Sequence, residues 1–231
     1  MLLQCHPNII TFMGWTIFAN TPALMTELAD TNLLTYIQKN QNTPLKTILS
    51  ILLQISQALE FIAEQGIIHR DVACRNILII FDENNIIAKL ADFGLCCLFG
   101  DTLTPRNSIY KKFPIKWLSI EALINCEFSE KSDVWAFGIL CYETFSLGAV
   151  PYSDMSNSEM IEFLQSGQRL KCPIKTPYLI YDLMQNCWKK EPKDRPKFNE
   201  ISFHLRSMLE KETANYGYLN LKTSSSKIIQ I

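Results

Sequence analysis

The sequence predicts an α+β fold in which a large helical body follows a short stranded segment. Three observations carry that expectation. Residues 8–25 alternate loosely and are rich in Ile, Thr, Phe and Trp, a strand pattern. Ile48, Leu52, Ile55, Leu59 and Ile62 recur at three- and four-residue spacing, as one buried helix face requires. After Pro114 the chain is a succession of helical stretches separated by Pro151, Pro173, Pro177, Pro192 and Pro196. At 231 residues it can bury one substantial core.

The opening stretch reads as two strands around the turn Ala19-Asn20-Thr21-Pro22. From Asn32 the pattern turns helical. Pro44 suits the start of the long helix that carries Ile48 to Ile62, because a first turn leaves its N–H groups unpaired anyway. Gly66 ends that helix. Residues 77–80 and 86–90 form two short strands across the turn Asp82-Glu83-Asn84-Asn85. Residues 95–113, with Gly100, Pro105 and several hydroxyls, suit a mobile loop. Helices are expected at about 119–124, 131–147, 157–166, 178–188 and 198–211. The polar end from Thr213, with Ser224-Ser225-Ser226, reads as frayed or disordered.

A net charge of -1 gives no support to a nucleic-acid or polybasic membrane partner. The apolar runs are short and interrupted, so no membrane segment is expected in this chain. Met1-Leu2-Leu3, followed by Gln4, Cys5 and His6, has no signal-peptide pattern. The eight cysteines are scattered without a CxxC pair, which argues against a disulfide or zinc framework. Reduced thiols and an intracellular compartment are expected.

The chemistry concentrates in His69-Arg70-Asp71-Val72-Ala73-Cys74-Arg75-Asn76 and in Asp92-Phe93-Gly94. An acid and an amide five positions apart, followed by a second acid opening a turn, make a phosphoryl-transfer constellation. The intervening hairpin would bring the two motifs together. Here the chain resembles the eukaryotic protein kinases, and within them the tyrosine kinases. Further matches are Phe113-Pro114-Ile115-Lys116-Trp117, similar to the tyrosine-kinase substrate platform, and Ser132 to Ile139, similar to the buried helix whose Asp fixes the catalytic loop. Cys187-Trp188 with Asp194-Arg195-Pro196 resembles the late segment whose Arg pairs with a Glu, here Glu121.

The resemblance implies a kinase-like α+β fold with a mainly helical large lobe. Residues 1–30 would be a small-lobe remnant and hinge, 31–211 the large lobe, and 212–231 a polar tail. It implies transfer of the ATP γ-phosphoryl group to protein tyrosine hydroxyls, with ATP and Mg²⁺ as cofactors. Asp71 would be the catalytic base or hydroxyl-orienting acid, with Asn76 and Asp92 as Mg²⁺ ligands. Tyrosine preference rests on Ala73 standing where serine/threonine kinases carry Lys, on Arg75 before Asn76, and on the platform. Thr26-Glu27-Leu28-Ala29 resembles the gatekeeper and hinge, with Thr26 limiting the back pocket and the backbone of Glu27 and Ala29 meeting adenine. Leu78 would lie under the purine; the plainer alternative makes Leu28 and Leu78 core residues. Asp133, Glu121 and Arg195 are expected to be structural.

Departures from the family pattern matter equally. No Gly-x-Gly-x-x-Gly occurs, and the phosphate-clamping Lys and Glu have no counterpart here. The expectation is a truncated copy with weak or no activity alone; the alternative is a catalytically silent kinase-fold binding or scaffold module. Ile9, Phe12, Trp15 and Leu24 would lack the strands that cover them. Ser119-Ile120-Glu121 replaces Ala-Pro-Glu, and Cys96-Cys97 replaces the common Ala-Arg. Tyr110 is the activation-loop phosphosite candidate, with Arg70 as partner for its phosphate. Tyr218, in Tyr-x-Asn, is a candidate for phosphotyrosine-binding adaptors. The resemblance places the chain in the cytoplasm, or in the cytoplasmic portion of a membrane receptor.

Overall fold

Helix α4 (Glu130–Phe145) organises the molecule, because twelve of its sixteen residues are buried on every side. A helix enclosed all round cannot be amphipathic, and this one mixes Val134, Trp135, Phe137, Ile139 and Leu140 with the buried acids Asp133 and Glu143. Ser129 caps its start in a reciprocal capping box with Ser132. The computed structural model describes residues 6–83, 85–100 and 113–225.

Strands β1 (Phe12–Phe18) and β2 (Thr21–Thr26) come first, joined at Ala19 and Asn20, both with positive φ. That geometry suits the right-handed twist of a two-residue hairpin. Strand β3 (Thr31–Asn32) runs into α1 (Leu33–Lys39), where the Asn32 side chain accepts from the Thr35 N–H. Helix α2 (Leu45–Glu64) follows Pro44, then β4 (Ile67–Ile68). Strands β5 (Ile77–Asp82) and β6 (Asn85–Leu90) form the hairpin between the acidic motifs, and β7 (Cys97–Leu98) pairs back onto β4. The remaining helices are α3 (Ile120–Asn125), α5 (Asn157–Gln165), α6 (Tyr178–Cys187) and α7 (Phe198–Ser225).

Among the described residues the strands form three small sheets: β1–β2, β3–β5–β6 and β4–β7. The two-residue strands β3, β4 and β7 carry no periodicity, and the sequence pattern does not mark them. Helix boundaries lie within a few residues of expectation, except that α7 stays helical through 212–225, where a frayed polar tail was expected. Helix α2, at 20 residues, is long and apolar enough to cross a membrane by length and composition only. Here it is a core helix, with Leu49, Leu52, Ile55, Leu59 and Ile62 buried while it packs against α7 and β6.

The β1–β2 hairpin stands apart from this core. Trp15 is 68% exposed, and Phe12 and Leu24 are exposed as well. Ile9 differs: it is buried, because its segment bridges to Leu90 in parallel and bonds β6 through Ile10 N–H to Leu90 O at 2.9 Å. Asn8 adds a side-chain clasp, donating to Ala88 O at 2.9 Å and to Gln54 Oε1 at 2.8 Å.

Gly138 sets how closely α4 meets the end of α6. A Cβ there would stand 2.6 Å from Trp188 Nε1 and 2.9 Å from Cys187 Cβ. Gly138→Ala should therefore destabilise by about 1–3 kcal/mol through overpacking, against the gain of about 1 kcal/mol that the change brings in an open helix. Urea unfolding gives the sign, and a more stable variant would show that the contact yields.

Candidate active site

The segment 69–76 is irregular, so its backbone needs partners. It finds them on α4. His69 N–H and Arg70 N–H donate to the Asp133 carboxylate at 2.6 and 2.9 Å. This grip holds Arg70 at φ +65°, a left-handed conformation that side chains with a Cβ disfavour. Burial pushes the Asp133 carboxyl up to about 7, against the pull of those two N–H groups and of Arg70. Further along, Cys74 N–H donates to Glu143 Oε2 at 3.1 Å, and a short 3₁₀ turn, Cys74–Asn76, leads into β5. Asn76 Nδ2 donates back to Asp71 O at 2.8 Å, closing the loop.

The second motif is brought alongside by the β5–β6 hairpin. Ile77 pairs with Leu90, and Ala91 N–H donates to Asn76 O at 2.9 Å. His69 completes the join. Its Nδ1 accepts from Asp71 N–H at 3.3 Å while Nε2 lies 3.1 Å from Ala91 O. Nδ1 can accept only if it is unprotonated, so the proton sits on Nε2 and the ring is neutral. Burial pulls this imidazole down to about 4. Phe93 packs edge-on against the same ring, with centroids 5.0 Å apart. Asp92 is exposed, sits at φ +62°, and accepts from Gly94 N–H at 3.3 Å. Asp71, Asn76 and Asp92 thus gather around one backbone contact, Asn76 to Ala91.

Arg75 forms an ion pair with Asp71, and its guanidinium lies 4.5 Å from the centre of the Trp117 ring. Trp117 Nε1 donates to Glu143 Oε2 at 2.8 Å, and Lys116 Nζ donates to Tyr152 O at 2.7 Å, so the 114–117 segment is anchored from below. The pair expected between Glu121 and Arg195 is present and bidentate, at 2.7 and 2.8 Å. Arg195 is buried, also donates to the carbonyls of Lys131, Lys189 and Lys190, and lies 5.0 Å from the Trp135 ring. Arg169 reaches the same ring at 5.0 Å.

At the other side of the site, Thr26 ends β2 and Glu27 N–H donates to Thr11 O at 3.0 Å. The carbonyl of Glu27 is then the backbone group free of that pairing. The Glu27 carboxylate binds Lys89 Nζ and Thr11 N–H, each at 2.7 Å. Ala29 is half-buried and Leu28 is 92% exposed, which rules out a core role for Leu28. Leu78 is half-buried on β5, between the buried Ile77 and Ile79 that face the core. Tyr110 lies outside the described residues. Tyr218 falls on the backbone of α7. Arg70, expected to receive a phosphate, already donates to Leu95 O at 2.5 Å and Cys96 O at 3.3 Å and lies beside the Phe113 and Phe128 rings.

Glu143, Lys89 and the Asn8–Gln54 clasp are absent from the sequence-based expectations. Glu143 carried a readable signal: an acid inside an otherwise apolar helix must find donors. Lys89 and Asn8 carried none, because their partners are remote in sequence.

Comparison with known proteins matches residues 1–205 to the profile of the protein tyrosine and serine/threonine kinase family. Curated relatives include the tyrosine-protein kinase SRK2 of Spongilla lacustris, 36% identical over 92% of this chain. The tyrosine-protein kinase SYK of Gallus gallus is 35% identical over 87%, and the transforming protein Abl of Abelson murine leukemia virus 38% over 90%. The chain spans 58%, 33% and 28% of these three proteins' own lengths.

The neutral His69 ring makes stability depend on pH. Its folded value lies below that of the unfolded chain, so below about 6.5 the unfolded state takes up a proton that the folded state refuses. Stability is complete above that value and is lost as pH falls toward 4, by about 3 kcal/mol for a shift of this size. His69→Asn should lose correspondingly less between pH 6.5 and 4 in urea unfolding. Parallel curves for the two proteins would remove His69 as the cause.

Proposed function

The chain belongs to the protein tyrosine and serine/threonine kinase family, and from that premise we propose that it carries the hydroxyl-handling and metal-handling half of a tyrosine kinase active site. The gathering of Asp71, Asn76 and Asp92 around the Asn76–Ala91 contact is the observation that carries this. Arg75 occupies Asp71 Oδ1, which leaves Oδ2 to accept the proton of a substrate phenol. With Asn76 Nδ2 committed to Asp71 O, the amide oxygen is the ligating atom of that side chain. Asn76 Oδ1 and the exposed Asp92 carboxylate are hard oxygen donors of the kind Mg²⁺ takes, and these two residues would hold it. Bound there with ATP, the cation would neutralise charge on the phosphates.

Adenine would meet the Glu27 carbonyl and the Ala29 backbone, with Thr26 behind and Leu78 beneath. Tyrosine rather than serine is favoured because Arg75 bridges Asp71 to Trp117, tying the catalytic acid to the platform on which the substrate rests. Protein tyrosines are therefore the substrates proposed. Tyr110 would be a phosphosite in the loop, but two Arg70 nitrogens are engaged already, so a phosphate there would share a partly occupied guanidinium. Tyr218 as an adaptor site needs an extended peptide, and the helical backbone there would have to open. The cytoplasm, or the cytoplasmic side of a receptor, is the compartment that fits.

These 231 residues contain no Gly-x-Gly-x-x-Gly loop, and the β1–β2 hairpin is open to solvent. Alone, they transfer phosphate weakly or not at all, since phosphoryl transfer rests on positioning and charge neutralisation. Mg·ATP should leave the melting temperature of the chain nearly unchanged. A clear rise that disappears in Asp92→Asn would overturn the weak-alone proposal while supporting the metal role. Fused behind the amino-terminal part of the Spongilla relative's kinase domain, the chain should phosphorylate a tyrosine peptide, and Asp71→Asn should lower the rate by about 10²-fold or more. A folded fusion that binds Mg·ATP yet transfers nothing would favour a binding module.

A further inference from the structure

Glu143 is a buried acid that the proposed chemistry does not use. It lies on α4, and one oxygen, Oε2, accepts from two directions: Cys74 N–H at 3.1 Å and Trp117 Nε1 at 2.8 Å. The two donors belong to different parts of the site. Cys74 stands one residue before Arg75 in the loop that holds Asp71, and Trp117 closes the 114–117 segment. The Trp117 ring then supports the Arg75 guanidinium at 4.5 Å, and Arg75 pairs with Asp71. The contacts close a ring of residues: Glu143 to Trp117, Trp117 to Arg75, and back through the backbone to Cys74 and Glu143.

We propose that Glu143 is a positioning residue for Asp71, acting through Trp117 and Arg75. Arg75 has a long side chain with many rotamers, and an ion pair at a half-open site does not by itself select one of them. A ring fixed by a buried acceptor does, because the planar guanidinium stacks on the indole face and is thereby aimed at Asp71. The same acceptor sets the height of the loop at Cys74. Glu143 therefore fixes both the base of the Arg75 side chain and the surface beneath its tip. The consequence for specificity is that the platform and the catalytic acid move as one body, so a displaced Trp117 misplaces Asp71.

This inference rests on the proposed kinase chemistry only for its catalytic readout; the relay itself is testable without turnover. In the 231-residue chain, the Trp117 indole N–H and Arg75 Nε–H resonances can be assigned by their loss in Trp117→Phe and Arg75→Lys. Glu143→Leu should move both, Glu143→Gln should keep both near their original positions because Oε1 still accepts, and Trp117→Phe should move that of Arg75. Trp117→Phe and Glu143→Gln keep the test decisive even if the leucine variant fails to fold. An unmoved Arg75 in Trp117→Phe, or equal displacement in the Gln and Leu variants, would overturn the proposal. In the active fusion, Glu143→Leu should lower kcat by about 10²-fold, as misplacement by about 1 Å does, with KM for the peptide little changed. A loss confined to KM would make Glu143 a support for substrate alone and sink the role. An inert wild-type fusion, by contrast, would count against the kinase chemistry and leave the resonance test standing.

Discussion

Two carboxylates on one buried helix hold the site together. Asp133 and Glu143 are ten residues apart on α4, which places them about 15 Å apart along its axis. Neither can stay charged without donors in so dry a setting. Asp133 takes the N–H groups of His69 and Arg70; Glu143 takes those of Cys74 and the Trp117 indole. The need is mutual, because the loop between β4 and β5 has only one short 3₁₀ turn, at Cys74–Asn76, to satisfy its own N–H groups. Burial raises the pKa of both acids, a sign of how strongly the core resists their charge. The loop backbone is the answer to that resistance.

Everything around α4 keeps it immersed. Trp188 lies against Gly138, Phe198 meets Phe137 edge-on at 6.0 Å, and Trp135 lies beside both Arg169 and Arg195. The two arginines carry the contact outward, since Arg195 binds Glu121 on α3 and Arg169 donates to the Trp188 and Leu164 carbonyls. Ser56 and Ser202, buried and 3.0 Å apart, add a polar contact where α2 crosses α7. The buried Arg195 shows why such a pair persists: with either partner removed, the other would remain as an uncompensated charge, at about 3–5 kcal/mol.

Much of this was legible in the residues. The helices announced themselves through three- and four-residue spacing, and the roles of Asp133 and of Glu121 with Arg195 follow from motifs quoted in order. Strands of two residues could not be read, because period-two alternation needs more positions than β3, β4 or β7 possess. Lys89 and Gln54 escaped for a different reason. Each looks like a surface residue in its own segment, and only the folded chain brings Lys89 to Glu27, 62 positions away, or Gln54 to Asn8, 46 positions away. Glu143 lies between these cases: its need for donors could be inferred from the helix, but not which donors would come.

The amino-terminal hairpin has its own lesson, in mechanics. Both of its roots are moored to the β5–β6 hairpin. Asn8 and Ile10 grip Leu90 and Ala88 on one side, while Asp30 bonds Ile79 and Phe81 and Glu27 bonds Lys89 on the other. The Thr11–Glu27 backbone bond joins the two roots, so β1 and β2 leave the body from a single short base. That base rests on both β5 and β6, and Asp92 stands two residues past the end of β6. The outer hairpin and the exposed acid therefore share one support, the β5–β6 hairpin, and whatever loosens it loosens the footing of both.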